Sequence, residues 1–463
     1  MRKILLATAA GFAAFVANGA APAMAQQGTE VTGQGTPTPG ITARFSGRYR
    51  MYMGWVDQSP SDFNATAASP GVVVGQTASS MSSIDFIDYG RIFPGFDGVA
   101  ANGLRYGSSL EIRMGSGGNA EGDTRSNLFF RRAWGYVGTP TLGQIRVGSG
   151  PTGAVETMHL GHITGFGSGG WDGDSPGFVI GTNPSDAFWY SSSGRNNYTK
   201  IGYFSPQFFG FDVGLSYGPN DGSFGGDGAC SFASFSGANA ANCDRVDGSI
   251  QDNALQRAQD IYEIMLRYRG TFGPVGVGVS GGYVGSGTVD NLRTGGLQAE
   301  NLSVALGGAT VSWAGLTVGG IISGGKANMN GNTLNAAGTA VSAAAGSVLG
   351  GGFQPRLNVP GGDNSDLFTW SLGAQYTFGP FVVGGHYFNS ESAGSQAAGT
   401  GKRERQGFAL GGTYNIAPGL ALFLEYLNGE VKESGVDVIT GAIANTNNKA
   451  TVDVISLGIG FQW

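Results

Sequence analysis

Histidine is scarce in this 463-residue chain, with His159, His162 and His386 alone. Cysteine is scarcer, with only Cys230 and Cys243. No histidine sits with a serine and an acid in a recognisable order, so a Ser/His/acid hydrolase is not supported. His159 and His162 read as ordinary polar loop residues, and neither a metal nor a cofactor is expected. Charge is thin too: Asp, Glu, Lys and Arg make up 13% of the chain, about half the usual ~25%. Long apolar runs are missing. After the first 25 residues none reaches the ~18 that a membrane-spanning helix requires.

What the chain has in excess is glycine, at 85 residues, far above the usual ~7%. The glycines follow no triplet period, which excludes collagen. They are interleaved with Phe, Tyr, Val, Ile and Leu, which excludes a linker. Low charge, high glycine and 11% aromatics fit alternating strands with one face in lipid.

The first 25 residues stand apart. Arg2 and Lys3 precede the apolar run Ile4 to Val16, and Ala23-Met24-Ala25 is an A-x-A cleavage site. This pattern predicts a secretory signal peptide over 1–25. Loss of Arg2 and Lys3 leaves 24 Lys plus Arg against 32 Asp plus Glu, a net charge of about −8, so no nucleic-acid partner is expected. Residues 26–40 form a short polar tether, and 41–463 form one domain. In an exported chain Cys230 and Cys243 read as a disulfide stapling one exposed loop.

Strand alternation recurs along that domain. In TARFSGRYRMYMGW, Phe45, Tyr49, Met51, Met53 and Trp55 oppose Arg44, Ser46, Arg48, Arg50 and Tyr52. In LRYGSSLEIRM, Leu104, Tyr106, Leu110, Ile112 and Met114 oppose Arg105, Ser109, Glu111 and Arg113. The segments IYEIMLRYR, DLFTWSLGAQYTF and APGLALFLEYL split the same way. Seven short turns alternate with eight long polar segments, which predicts sixteen strands, with eighteen if one hairpin is missed. The fold class is therefore all-β, a transmembrane antiparallel β-barrel with both termini on the short-turn, periplasmic side and long extracellular loops.

The longest-range feature is the stretch between the hairpins NLFFRRAWGYVG…GQIRVGSG and NNYTKIGYFSP…FGFDVGLSY. Roughly 45 residues, Pro151 to Arg195, carry Glu156, Asp172, Asp174 and Asp186 and no Lys or Arg before Arg195. Such a loop is expected to fold into the barrel mouth and set the width and charge of a pore. Facing it, inward parity selects Arg44, Arg48, Arg50, Arg105, Arg113, Arg131 and Arg146, with Glu111 the main wall acid. Arginine stays charged at any ordinary pH and its fork is easily held rigid. Carboxylates on one side and guanidiniums on the other make a transverse field across a narrow channel. Lys200 and Arg195 are added to the basic lining. Glu156 and Asp172 are the first choices among the loop acids, with Asp174 and Asp186 expected to bond loop backbone. Trp171 is expected to pack the loop on the wall, His386 to stand alone, and Arg132, on the opposite face from Arg131, to serve a subunit contact or the rim.

The last strand, TVDVISLGIGFQW, alternates to a terminal aromatic, and Phe461 and Trp463 resemble the C-terminal targeting signal of outer-membrane barrels. With RRAWGYVG and GQIRVGSG before the long loop, RNNYTKIGYFSPQFFGF after it, DGVAANGLRYG at the first short turn and GIGFQW at the end, the chain resembles the Gram-negative general porins, the trimeric sixteen-stranded type. Where that family typically has an Asp before the Ser-Pro pair, this chain has Phe204. The resemblance implies passive diffusion of small hydrophilic solutes and ions, a third loop inside the barrel, a homotrimer, contact with outer-membrane lipid, and insertion by barrel-assembly machinery in a Gram-negative outer membrane. A substrate-selective anion or sugar porin is the alternative, followed by a structural or adhesive barrel. An outer-membrane phospholipase lacks its nucleophile and base.

Overall fold

The computed structural model describes residues 40–59, 62–63, 79–80, 82–114, 128–179, 184, 188, 198–220, 259–287, 302–326, 366–392, 401–438, 445 and 447–463. The barrel strands follow the chain as β1 (Gly40–Ser59), β2 (Ile84–Val99), β3 (Arg105–Met114), β4 (Leu128–Thr139), β5 (Gly143–Ser149) and β6 (Thr199–Phe204). They continue as β7 (Phe211–Asn220), β8 (Gln259–Phe272), β9 (Val275–Gly285), β10 (Ser303–Trp313) and β11 (Leu316–Lys326). The last are β12 (Asp366–Phe378), β13 (Phe381–Ser392), β14 (Arg403–Ala417), β15 (Leu420–Glu433) and β16 (Lys449–Gln462).

Each strand pairs antiparallel with its chain neighbours, and β1 also pairs with β16, so the sheet closes as a sixteen-stranded barrel. Closure leaves no strand edge, the condition for putting a sheet in hydrocarbon. The seam runs from Arg48 opposite Gln462 to Ser59 opposite Thr451. It is fastened at the end of the chain, where the Gly47 N–H donates to Trp463 O at 3.0 Å and the Trp463 N–H donates to Gly47 O at 3.1 Å. A separate ladder, Asp62–Phe63 with Ser79–Ser80, lies in the first long connection and takes no part in the barrel.

The two faces of the wall have opposite chemistry. Outside, Met51, Trp55, Ile264, Leu266, Leu372, Leu424 and Leu457 are exposed, Leu424 to 59%. An apolar surface of this extent suits lipid and not water. Aromatic rings mark the short-turn end: Phe378 and Phe381 stack at 5.5 Å and Phe381 and Tyr414 at 4.7 Å, as an interface girdle requires. Inside, Glu111, Arg132, Lys200, Arg267, Arg403, Arg405 and Glu425 are buried by their neighbours.

The connection from β5 to β6 turns inward. Among its described residues it holds a short helix, α1 (Ala154–Met158), and two 3-10 turns, Gly170–Asp172 and Ser175–Phe178. The apolar core is the seam between this loop and the wall: Ala154, Met158, Ile163, Phe166, Trp171 and Phe178 pack with Met265, Val304, Ile321, Phe388 and Leu427. Cys230 and Cys243 lie outside the described residues, as do residues 1–39, the expected signal peptide and most of the expected tether.

Candidate functional site

The loop is held to the inner wall strand after strand. Its start sits on β7 and β8, where the Ala154 N–H donates to Ser216 Oγ at 3.1 Å and the Val155 N–H to Glu263 Oε2 at 2.9 Å. The Leu160 N–H then donates to Ser280 Oγ on β9 at 2.8 Å, and the Gly165 N–H to Gln375 Oε1 on β12 at 3.0 Å. On β15, Glu425 gathers three donors: the Ser168 hydroxyl at 2.6 Å, the Ser168 N–H at 3.2 Å and the Gly170 N–H at 2.7 Å. The Trp171 indole N–H donates to Phe408 O at 3.0 Å and Asn428 O at 3.1 Å, across β14 and β15. The hydroxyls of Ser175 and Ser456 meet at 2.8 Å on β16. The loop is thus a belt running from β7 around to β16, and Asp174 carries it on to β1 and β2.

Glycine makes this close approach possible. A Cβ on Gly373 would stand 2.8 Å from Ile163 Cβ, and one on Gly407 would stand 2.7 Å from Trp171 Nε1. Side chains at these inward positions would lift the loop off the wall.

Strands β1–β4 carry the charge. Arg48 of β1 lies in register with Arg91 of β2, and Arg91 with Arg113 of β3, a row of like charges that is unfavourable unless acids intervene. Two acids do. Glu111 takes Arg113 Nε at 2.6 Å, Arg131 Nη1 at 3.3 Å, Arg132 Nε at 3.6 Å and Arg91 Nη1 at 3.8 Å. Asp174, at the loop tip, takes Arg50 Nη1 at 3.0 Å and Arg91 Nη2 at 3.5 Å, and accepts the Tyr52 hydroxyl at 3.1 Å. Burial works against the charged Asp174, but Arg50, Arg48 and Arg91 outweigh it and hold the carboxyl well below the usual range. Arg91 joins the two clusters. This wall is a charged surface with fixed dipoles and, among the described residues, no group of three or more His, Cys, Asp or Glu that could hold a metal.

A family model for Gram-negative porins matches residues 7–434. The chain belongs to the Gram-negative porins. Solved structures with a similar fold include OmpTdeltaL8, a loop-deletion mutant of the Vibrio cholerae outer-membrane protein OmpT, at 12% identity and TM-score 0.48 over 91% of this chain and 99% of that one. A triple mutant of Rhodopseudomonas blastica porin aligns at 14% identity and TM-score 0.43 over 91% of this chain and 100% of that one. No curated protein matches. The chain is therefore a channel-type barrel of the outer membrane.

The porin wall places the residues singled out from sequence as follows. Arg48, Arg50, Arg113 and Arg131 gather around Asp174 and Glu111. Arg44 pairs instead with Asp97, which also accepts the Tyr136 hydroxyl. Arg105 begins β3, six residues before Glu111 and partly buried. Arg146 supports the base of the loop: it donates to Pro151 O at 2.9 Å, and its guanidinium lies 4.6 Å from the Phe204 ring centroid and 5.3 Å from that of Trp134. Phe204, where the family typically has Asp, is thus a face for a cation. Lys200 is sealed under α1, 3.6 Å from Glu263 and over the Tyr198 ring at 4.0 Å. Glu156 pairs with Arg132 at 2.6 Å, and Asp172 with His162 at 3.7 Å. Asp186 and Arg195 lie outside the described residues. Phe461 and Trp463 are exposed at the end of β16.

Three expectations change. Arg132 faces inward, because the register shifts between Glu111 and Ile112 and leaves Arg131 as a bulge residue, so both arginines reach Glu111. Asp174 meets arginines rather than loop backbone through its carboxylate. His386 is not alone: Ile163 O lies 2.8 Å from its Nδ1, and its Nε2 accepts the Trp171 N–H at 3.2 Å. Arg91, Arg267 and Asp212 were not singled out. Arg91 escapes because β2 places Ile87, Tyr89 and Phe93 on the same face, so no polar stripe marks it. Asp212 takes Arg267 through two hydrogen bonds, at 3.1 and 2.5 Å, and its place on an inward parity was readable from FGFDVGLSY.

Proposed function

We propose that this porin is a passive diffusion channel for small hydrophilic solutes and ions, and that its narrowest region lies between the loop belt and the β1–β4 wall. A row of guanidiniums demands water beside it, since unpaired charge in a dry interior is prohibitive. The observation that carries the reading is the charge count along this wall. Glu111 and Asp174 each face several arginines, and Glu156 is taken by Arg132. Cations outnumber carboxylates there although the whole chain is acidic, so the channel prefers anions.

The reading extends to the rest of the molecule. The chain is exported by a signal peptide over 1–25 and is inserted by barrel-assembly machinery, with short turns periplasmic and long loops extracellular. Cys230 and Cys243 close one such loop, and the barrel assembles as a homotrimer, the state the family resemblance implies. The test is planar-bilayer conductance of refolded protein with a reversal potential in a potassium chloride gradient. Open channels in steps of three, with a reversal potential toward that of chloride, support the proposal. Silence from a barrel that still migrates as heat-modifiable protein refutes the channel, and a potassium-directed potential refutes the anion preference.

A further inference from the structure

Arg48 is 6% exposed, and among the described residues it makes no hydrogen bond or ion pair; its Nε is buried without a partner. Its surroundings raise the cost of that state. On one side its register partner is Arg91, another cation. On the other it is Gln462, an amide where a carboxylate would have neutralised it. The nearby loop acid, Asp174, is already engaged by Arg50 and Arg91.

Arg48 lines a cavity of about 280 Å³ between β14, β15, β16 and β1, at the short-turn end of the lumen. Its other walls include Phe423, Ala421, Leu420, Asn415 and Gln462. Phe423 is largely covered, and the Arg50 guanidinium, which also lines the cavity, lies over its ring at 5.1 Å. The cavity therefore offers one uncommitted guanidinium and an amide at a polar edge, and an aromatic and aliphatic floor beside them.

We propose that this cavity is a binding subsite for small organic carboxylates that carry a ring or short apolar body. The carboxylate takes the Arg48 guanidinium in the planar, two-bonded arrangement that arginine favours, and the apolar body lies on Phe423 and Ala421. The subsite sits beside the loop tip on the short-turn side, at the β1 end of the arginine row. A simple inorganic anion satisfies only the polar edge, so the site distinguishes organic carboxylates from chloride. The proposal deepens the anion-channel reading and rests on it for the direction of solute flow, but binding itself needs no flux.

The test is isothermal titration calorimetry of the detergent-solubilised full barrel with sodium benzoate, with acetate and benzyl alcohol as probes lacking one half of the ligand. Saturable benzoate heat with acetate and benzyl alcohol each much weaker is the expected result. Arg48→Gln should weaken benzoate about 10- to 100-fold, the scale of a lost charged hydrogen bond. Gln462→Glu, which sets a carboxylate opposite Arg48 and leaves the arginine in place, should exclude benzoate with the barrel equally heat-modifiable. Unchanged benzoate binding in both variants overturns the proposal, as does acetate binding as tightly as benzoate. Failure of the anion channel is read separately, by the chloride reversal potential of the unsubstituted protein.

Discussion

Removing one charge from the loop tip tests the latch between the belt and the arginine wall. Asp174→Asn keeps the shape and an acceptor for Tyr52, but loses the charge that Arg50 holds at 3.0 Å and Arg91 at 3.5 Å. A 3.0 Å contact at an effective dielectric of ~20 carries about 5 kcal/mol of gross attraction. Breaking a buried pair from one side costs about 3–5 kcal/mol. The side chains here are 11–12% exposed beside a wet lumen, which brings the loss to about 2–3 kcal/mol. At 1.4 kcal/mol per factor of ten, the ratio of docked to lifted tip falls about 30- to 150-fold. The reporter is Ser175→Cys, in a background with Cys230→Ser and Cys243→Ser. Ser175 is fully buried against Ser456, so a bulky hydrophilic maleimide reaches a thiol there only when the tip lifts, and the modification rate follows the lifted fraction. Asp174→Asn should raise that rate by the same about 30- to 150-fold. A change below about threefold, in a barrel that keeps its heat-modifiable mobility, would refute the latch, because it would mean that apolar packing alone holds the tip.

Three further perturbations address the rest of the belt. Trp171→Ala removes a fully buried side chain with two hydrogen bonds and should cost about 3–5 kcal/mol of loop docking, visible as larger and noisier single-channel currents with the barrel intact. Gly407→Val would press a side chain on Trp171 and on Asn428 O, 2.7 and 2.8 Å from its Cβ; it should loosen the loop in the same assay while circular dichroism stays that of the parent barrel. Acid should act through the two loop histidines rather than the latch. Asp174 stays charged under mild acid, since its stabilising contribution is lost only as the pH falls through a value below the ordinary carboxylate range. Burial pushes His159 down from 6.5 to about 4, so the undocked loop binds a proton first and docking weakens as the pH falls across that window. Burial also pushes His162 well below its ordinary value, so current fluctuations should rise as the pH falls from about 6.5 to 4, His159→Gln should reduce the rise, and His159→Gln with His162→Gln should flatten it.

The barrel was legible because its rules are local. Alternation in TARFSGRYRMYMGW or IYEIMLRYR needs only neighbouring residues, and short turns alternating with long loops give sixteen strands without knowledge of any contact. The site was legible only where side-chain parity is clean. Arg48, Arg50 and Arg113 fall where alternation puts them, but a bulge is a disagreement between two strands, and only the partner strand shows that Arg132 turns inward beside Arg131. The partners of the loop acids were beyond sequence reasoning for a different reason. Asp174 meets Arg91 across 83 residues and Ser168 meets Glu425 across 257, and which acid finds which base depends on the path of the belt around the wall.

That path had a signal which composition alone conceals. The glycine excess was read as a mark of pleated strands in lipid, yet many of these glycines face inward. Gly214, Gly278, Gly373, Gly407 and Gly429 are positions where a Cβ would strike Met158, Leu160, Ile163 or Trp171. Glycine weakens a strand and leaves it nothing to pack, so a track of it on the inner face is a local cost that the barrel bears for a long-range gain: the loop lies flat on the wall and its apolar side chains are covered. The track spares β3 and β4 near Glu111, where arginines stand in place of glycines. Small residues along most of the circumference and large cations along the remainder make one arrangement. The belt is pressed outward against β7–β16, away from most of the guanidiniums of β1–β4, so under the proposed channel function wall composition, strand by strand, would set both where the lumen stays open and the sign of the charge that a solute meets there.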